Sequence, residues 1–289
     1  MSLNGIYHIE HARAPVRIAL SGHSSADATP VIAWSNGDDF LDHLWLIKSV
    51  PGEADTYTIR NTVAGTFMDS GGVKTNGTPI VGYHQTSSDN QKWIIKREAS
   101  GTGFWKIMNK ATQNFADLLN GGRDNGTPIV GWKGGWTDNT PEGHQLWKFS
   151  AQSLLVNEVH TTLKANPYLR QDFESYISDG IYLILSQQRL EDIWHESGLS
   201  SRKWREEIFD CDDFSFVYKA EVAKWGDSHF KADGFAILCG VMFGTNSKNE
   251  AHAYNWMVSA GDHNEIVFFE PQNGTFMVNP GYNAYFGVF

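Results

Sequence analysis

The hexapeptide Thr-Pro-apolar-apolar-small-aromatic occurs three times in the first half of this chain, at residues 29–34 (TPVIAW), 78–83 (TPIVGY) and 127–132 (TPIVGW), each copy 49 residues after the last. A period held that constant means one supersecondary unit used three times, and such units bury their apolar faces against their own copies. Each copy is followed by a second signal ending in tryptophan: Asp42-His43-Leu44-Trp45, Asn90-Gln91-Lys92-Trp93 and His144-Gln145-Leu146-Trp147. Three tryptophans at unit ends predict a shared core.

The units open on Tyr7-His8-Ile9, Tyr57-Thr58-Ile59 and Trp105-Lys106-Ile107, with the period-two alternation of half-buried strands. Then come Ile18-Ala19-Leu20, Phe67-Met68-Asp69 and Phe115-Ala116-Asp117, followed by glycine-rich turns. Asn76-Gly77 and Asn125-Gly126 supply turn chemistry just before the Thr-Pro strands. Each unit therefore holds about four short strands, and three units close into an all-β structure with pseudo-threefold symmetry. The two cysteines, Cys211 and Cys239, both fall in the second half, so packing and not disulfides must hold the repeats.

By these features, residues 1–150 resemble the ricin B-type β-trefoil lectins, whose Gln-x-Trp signature stands here as Gln91-Lys92-Trp93 and Gln145-Leu146-Trp147, with His43-Leu44-Trp45 as a degenerate copy. A galactose-like ring offers one apolar face and several hydroxyls, so it needs an aromatic plate, a carboxylate and an amide. The resemblance implies carbohydrate sites at Asp69, Tyr83, Asn90 and Gln91 in the second repeat, and at Asp117, Trp132, His144 and Gln145 in the third. The first repeat has Ala19 in the carboxylate position and Asp42-His43 in place of Asn-Gln, and keeps only Trp34. Two working sites and one impaired site are expected. Lys74 and Lys92 lie close enough in sequence to the second site to meet a sialic acid carboxylate.

Charge divides where the repeats stop. Residues 1–150 carry 13 Lys+Arg against 14 Asp+Glu, and residues 151–289 carry 10 against 19, balances of −1 and −9. A neutral aromatic half joined to an acidic half argues against nucleic-acid binding, whose phosphates demand a basic face. The chain shows no basic segment leading into an apolar core at its start and no apolar stretch long enough to span a bilayer. A protein made in the cytosol, with no membrane insertion, is the expectation.

In residues 151–289, with 150–165 as connector, the pattern predicts helices over 150–165 and 189–197, and a strand over 182–185. A further helix lies within 202–225, where Cys211, Phe214, Tyr218, Val222 and Trp225 recur at steps of 3, 4, 4 and 3. Strand-like runs follow at 234–243, 253–258 and 266–269, an α+β arrangement. Cys211 lies near the helix start, where the dipole and free N–H groups favour thiolate. His252 precedes one strand and Glu270 ends the next, so pairing of those strands would set imidazole against carboxylate. Cysteine, histidine and carboxylate in that order match nucleophile, base and orienter. Cys211 equally fits a buried apolar stripe, as Cys239 does inside GFAILCGVMF.

The segments WREEIFDCDDF (204–214), HAYN (252–255) and FFEPQNG (268–274) make this half similar to the second domain of the mushroom chimerolectins. That resemblance implies a papain-like domain that dimerises and works as a calcium-dependent cysteine protease, with Cys211 as nucleophile, His252 as base and Glu270 as orienter. It also places calcium at Asp212 and Asp213; by themselves, adjacent carboxylates also fit the first turn of a helix. The expected whole is a homodimeric lectin for galactose-containing glycans, terminal α-galactosyl or α2,6-sialylated, with a protease domain acting in fungal defence. The other reading is a non-enzymatic lectin whose second domain only dimerises.

Overall fold

The computed structural model describes residues 3–37, 40–137 and 143–289. The chain divides into two compact units: Met1–Ala151 with Phe230–Asp233, and Gln152–His229 with Gly234–Phe289.

The first unit is built from the triplication. Six strands, two per repeat, pair antiparallel in a closed ring: Gly5–His11, Trp45–Ser49, Thr56–Asn61, Trp93–Arg97, Trp105–Asn109, Trp147–Ala151 and back to the first. Each repeat adds a hairpin, Val16–Leu20 with Thr29–Ser35, Phe67–Asp69 with Val81–Tyr83, and Phe115–Leu118 with Ile129–Trp132. Ring closure leaves the barrel no free edge. Trp45, Trp93 and Trp147 are buried, and each indole N–H reaches across its own repeat to a hairpin carbonyl, of Ile18, Met68 and Ala116 at 2.9, 2.8 and 3.0 Å. The Gln-x-Trp signature thus ends in a tryptophan that fills the core and also locks hairpin to barrel.

The repeats are joined by a second threefold device. A side chain of one repeat accepts the backbone N–H just after the hexapeptide of another: Asn125 from Ser35, Asp27 from His84 and Asn76 from Lys133, at 2.7, 2.8 and 2.9 Å. The residue after each acceptor has positive φ: Ala28 at 62°, Gly77 at 82° and Gly126 at 88°. The Asn-Gly pairs are therefore turn and clamp together, and Asp27-Ala28 is the first repeat's version without glycine.

In the second unit the local pattern predicts a helix over 150–165, and the structure shortens it. The strands Trp147–Ala151 and Ser153–Leu155 occupy its start, and α1 runs only over Val156–Lys164. Ser153–Leu155 is claimed by pairing with Ile181–Leu183, so tertiary hydrogen bonding overrides the local helical pattern. α2 spans Gln187–Glu196, N-capped by Ser186, and α3 spans Cys211–His229. Phe214, Tyr218, Val222 and Trp225 of α3 are buried, as the spacing predicts, while Cys211 is only half-buried. The run 234–243 breaks into Ala236–Ile237 and Gly240–Thr245, which join different sheets. A six-stranded sheet runs in the order Leu169–Tyr176, Asn283–Val288, Gly240–Thr245, Ala251–Val258, Ile266–Glu270, Thr275–Met277. Tyr182, Met242, Trp256 and Phe268 form the centre of its core.

Candidate functional sites

Each hairpin of the first unit sets a carboxylate position beside the aromatic of its hexapeptide. In the third repeat Asp117 pairs with Val130 two residues before Trp132, a residue 38 % exposed. Asp117 is buried, Gln145 Nε2 donates to its Oδ2 at 2.9 Å, and His144 Nδ1 lies 3.9 Å from its Oδ1. Burial raises its pKa, against the opposing pull of Gln145, His144 and Lys106. The four residues expected in this repeat come together, with Gln145 buried behind the carboxylate it holds.

In the second repeat Asp69 is buried and its Oδ1 accepts from Gly71 N–H at 2.7 Å. Asn90 lies against the turn it forms, its amide 3.2 Å from where a Cβ on Gly72 would sit. Gln91 plays another part, since its Oε1 accepts from Thr86 N–H at 2.8 Å and its Nε2 donates to His84 C=O at 2.7 Å. Both ends of this buried amide are spent on backbone, which shapes the segment after Tyr83. The ring of Tyr83 packs on His84 at 4.5 Å, and Asp27 Oδ2 lies 2.8 Å from His84 Nδ1. Lys92 is not available to a ligand as the sequence suggested, because Glu53 and Asp89 hold it at 2.8 and 3.1 Å, with Lys110 completing the network.

In the first repeat Ala19 is buried at the hairpin position. The carboxylate there comes from Asp42, buried in the turn that carries Asn90 and His144 in the other copies, with His23 Nδ1 3.2 Å from its Oδ1. Burial raises Asp42 and His23 opposes the rise.

The second site is assembled from α3 and two neighbouring strands. Ala251–Val258 and Ile266–Glu270 pair antiparallel, with Asn255 opposite Phe269, which puts His252 and Glu270 on one side. His252 Nε2 and Glu270 Oε2 are 2.5 Å apart, and both side chains are more than four-fifths buried. Glu270 thereby fixes one ring nitrogen and leaves Nδ1 for a second partner. Cys211, the first residue of α3, meets the backbone N–H of Ala253, the neighbour of His252. Buried Asn255 ties helix to sheet by donating to Ser215 C=O at 2.9 Å and Gly240 C=O at 3.1 Å. Among the described residues the sequence-predicted Cys211, His252 and Glu270 thus share one locality.

The electrostatics differ from the helix-dipole expectation. Burial, then the charges of Asp210 and Asp212, pushes the Cys211 thiol up, against the Ala253 N–H that favours thiolate. Cys239 is buried and pushed up to about 12. Asp213 Oδ2 accepts from Asp210 N–H at 3.2 Å, which closes the first turn of α3. Asp210, which sequence reasoning passed over, takes its place beside Asp212: ligand atoms of Asp210, Cys211 and Asp212 all lie within 4.8 Å of one another. Asp210 Oδ1 is buried with no hydrogen-bond partner among the described residues, and the hydrogen bond between the two acids raises Asp212.

Comparison with known proteins agrees with both units. The family model described as ricin-type beta-trefoil lectin domain-like matches residues 41–132, and that described as agglutinin C-terminal matches residues 182–276. No curated protein matches. Among solved structures, one described as the PSL1a-E64 complex is 50% identical with a TM-score of 0.88, and Polyporus squamosus lectin bound to the human-type influenza-binding epitope Neu5Aca2-6Galb1-4GlcNAc is 49% identical with a TM-score of 0.89. Both alignments cover 100% of this chain and 100% of the other. The chain belongs to the family of the Polyporus squamosus lectin, with a ricin B-type lectin trefoil followed by an agglutinin C-terminal domain.

Proposed function

We propose that this lectin binds galactose-containing glycans, α2,6-sialylated galactose foremost, through its second and third repeats, and that its second unit is a papain-like, calcium-dependent cysteine protease acting in a homodimer. The glycan reading is supported by Trp132 beside the buried, amide-held Asp117, and by the sialylated epitope bound to Polyporus squamosus lectin. Lys74, exposed five residues after Asp69, is the lysine offered to the sialic acid carboxylate. A terminal α-galactosyl ring uses the same plate and carboxylate.

The observation that carries the protease reading is the 2.5 Å His252–Glu270 contact, with the Cys211 thiol held at the backbone N–H of the next residue, Ala253. Cys211 gives its proton to His252 and its sulfur attacks a peptide carbonyl, forming a C–S bond. His252 returns the proton to the leaving amine as the C–N bond breaks, and water then releases the acyl group through the same imidazole. Glu270 holds the ring and stabilises its charged form.

Asp210 and Asp212 fit a hard cation, since they offer two adjoining carboxylates, one with a buried oxygen left unpaired. Calcium bound there would supply positive charge that offsets the two acids, which add to burial in holding the thiol protonated. Trp204 and Ile208, each more than half exposed in the segment before α3, are apolar surface that a second copy would cover.

The test incubates the protein with an unstructured polypeptide, with and without Ca²⁺, beside Cys211→Ala. Calcium-dependent cleavage lost in the variant supports the reading, and equal background in all arms refutes it. Equal background in all arms would leave the second reading, a non-enzymatic lectin whose second unit only dimerises. For the lectin half, Asp69→Ala with Asp117→Ala should abolish binding to a sialylated galactose array.

A further inference from the structure

Three aromatic rings meet at the candidate protease site. The His252 imidazole lies 4.9 Å from the Tyr282 ring at 36°, and 6.1 Å from Tyr254 at 31°. Tyr282 and Tyr254 are themselves 6.1 Å apart at 34°. Tyr254 is buried in the core of the second unit, and Tyr282 packs on that core from its edge. The imidazole is therefore laid against a tilted stack anchored in the protein interior.

The strand register explains how Tyr282 reaches a residue two strands away. Gly281 has φ of 75°, a turn that delivers Tyr282 to the head of Asn283–Val288. That strand pairs with Gly240–Thr245, which pairs with Ala251–Val258, and Gly244 of the middle strand lies opposite Ala284 on one side and His252 on the other. A Cβ on Gly244 would come within 3.0 Å of both Asn283 C=O and the Tyr254 hydroxyl. Only glycine there lets the flanking rings close over the strand.

We infer that Tyr282 is a positioning residue, whose ring face holds the plane of the His252 imidazole so that it cannot swing from Glu270 and the Cys211 thiol. The inference rests on reading Cys211 and His252 as nucleophile and base. Glu270 alone fixes one nitrogen and leaves rotation about that hydrogen bond open. A ring packed at a tilt against the imidazole, 4.9 Å away, closes that freedom. The phenol itself stays protonated, because burial first, and then the charges of Glu250 and Glu270, raise it.

The test follows alkylation of Cys211 by iodoacetamide at neutral pH in calcium-containing buffer, read by intact mass, which needs no peptide substrate. Buried Cys239 contributes no fast adduct. His252→Ala should slow the adduct and so establishes that the imidazole activates the thiol. Tyr282→Ala should slow it by about tenfold to a hundredfold, since misplacing a reacting group by an ångström can cost about a hundredfold. Tyr282→Phe keeps the ring face and should remain within about twofold of the parent.

If His252→Ala changes nothing, the nucleophile–base reading falls and the inference with it. If His252→Ala slows the reaction but Tyr282→Ala does not, the inference alone falls. Equal slowing in Tyr282→Phe and Tyr282→Ala would assign the effect to the hydroxyl and overturn the stacking role. Should Tyr282→Ala misfold by circular dichroism, Tyr282→Leu decides: parental rates with that side chain would show bulk alone suffices and overturn the role, whereas slow alkylation with native circular dichroism supports it.

Discussion

Asp117 illustrates a carboxylate kept ready by burial. Its folded-state pKa lies above the ordinary value, so the native chain holds this proton more tightly than the unfolded chain does. The charged form therefore weakens the fold above the folded-state pKa, and that loss is relieved as pH falls through it, fully so below the ordinary value. Asp117→Asn removes the buried charge. Made in an Asp69→Ala background, it should abolish the remaining glycan binding by calorimetric titration while leaving the thermal midpoint at neutral pH unchanged or raised. Gln91 should behave in the opposite way. Its amide serves Thr86 N–H and His84 C=O, so Gln91→Ala leaves backbone groups unpaired and should lower unfolding free energy by about 1–3 kcal/mol in urea titration.

Among the elements, turns and caps decide how the strands and helices are held. In each repeat-to-repeat clamp the acceptor side chain is followed by a left-handed residue, glycine in two cases and Ala28 in the third. A side chain in that region costs about 1–2 kcal/mol, partly offset by the freer unfolded chain that glycine gives. Ala28→Gly should thus raise stability by about 0.5 kcal/mol, whereas Gly77→Ala and Gly126→Ala should lower it. Chemical denaturation of the three variants checks the sign at each position. At the head of α3, Asp213 accepts from the N–H of Asp210. Asp213→Ala should cost about 1 kcal/mol of stability and fray the turn that carries Cys211, seen as faster amide exchange at residues 211–214.

Taken as a whole, the chain is not divided at one point. Phe230–Asp233, just beyond α3, belongs to the trefoil unit, where Lys231 N–H and Ala232 N–H both donate to Thr62 C=O at 3.0 Å. Lys231 also packs 3.1 Å from where a Cβ on Gly65 would stand. A fragment of residues 1–151 lacks those partners, so its trefoil should fold but unfold at lower temperature than the same unit in the full chain, measured by tryptophan fluorescence. The proposed homodimer, with the two proposed glycan sites on each copy, would gain avidity without any new contact. Haemagglutination by the full chain, lost on forced monomerisation while single-site affinity persists, is the expected result.

The trefoil is legible in the sequence because its signal is local and given three times. Alternating strands, Asn-Gly turns and terminal tryptophans all sit at fixed offsets, and a closed ring of six strands is the way three such units bury Trp45, Trp93 and Trp147 together. In the second unit the α3 stripe is equally readable from its 3-4-4-3 spacing. Leu169–Tyr176 is not, because its mostly exposed residues lack an apolar alternation and it exists through pairing with Asn283–Val288. The order Cys211, His252, Glu270 is in the sequence, and so are the aromatic and acidic residues of the repeats. Three-dimensional proximity alone decided that Asp210 joins Asp212, that burial and then these two acids raise the thiol, that Gln91 braces backbone, and that Tyr282 lies against His252. Desolvation, charge interaction and ring contact depend on distances through space, and only the folded chain sets those distances.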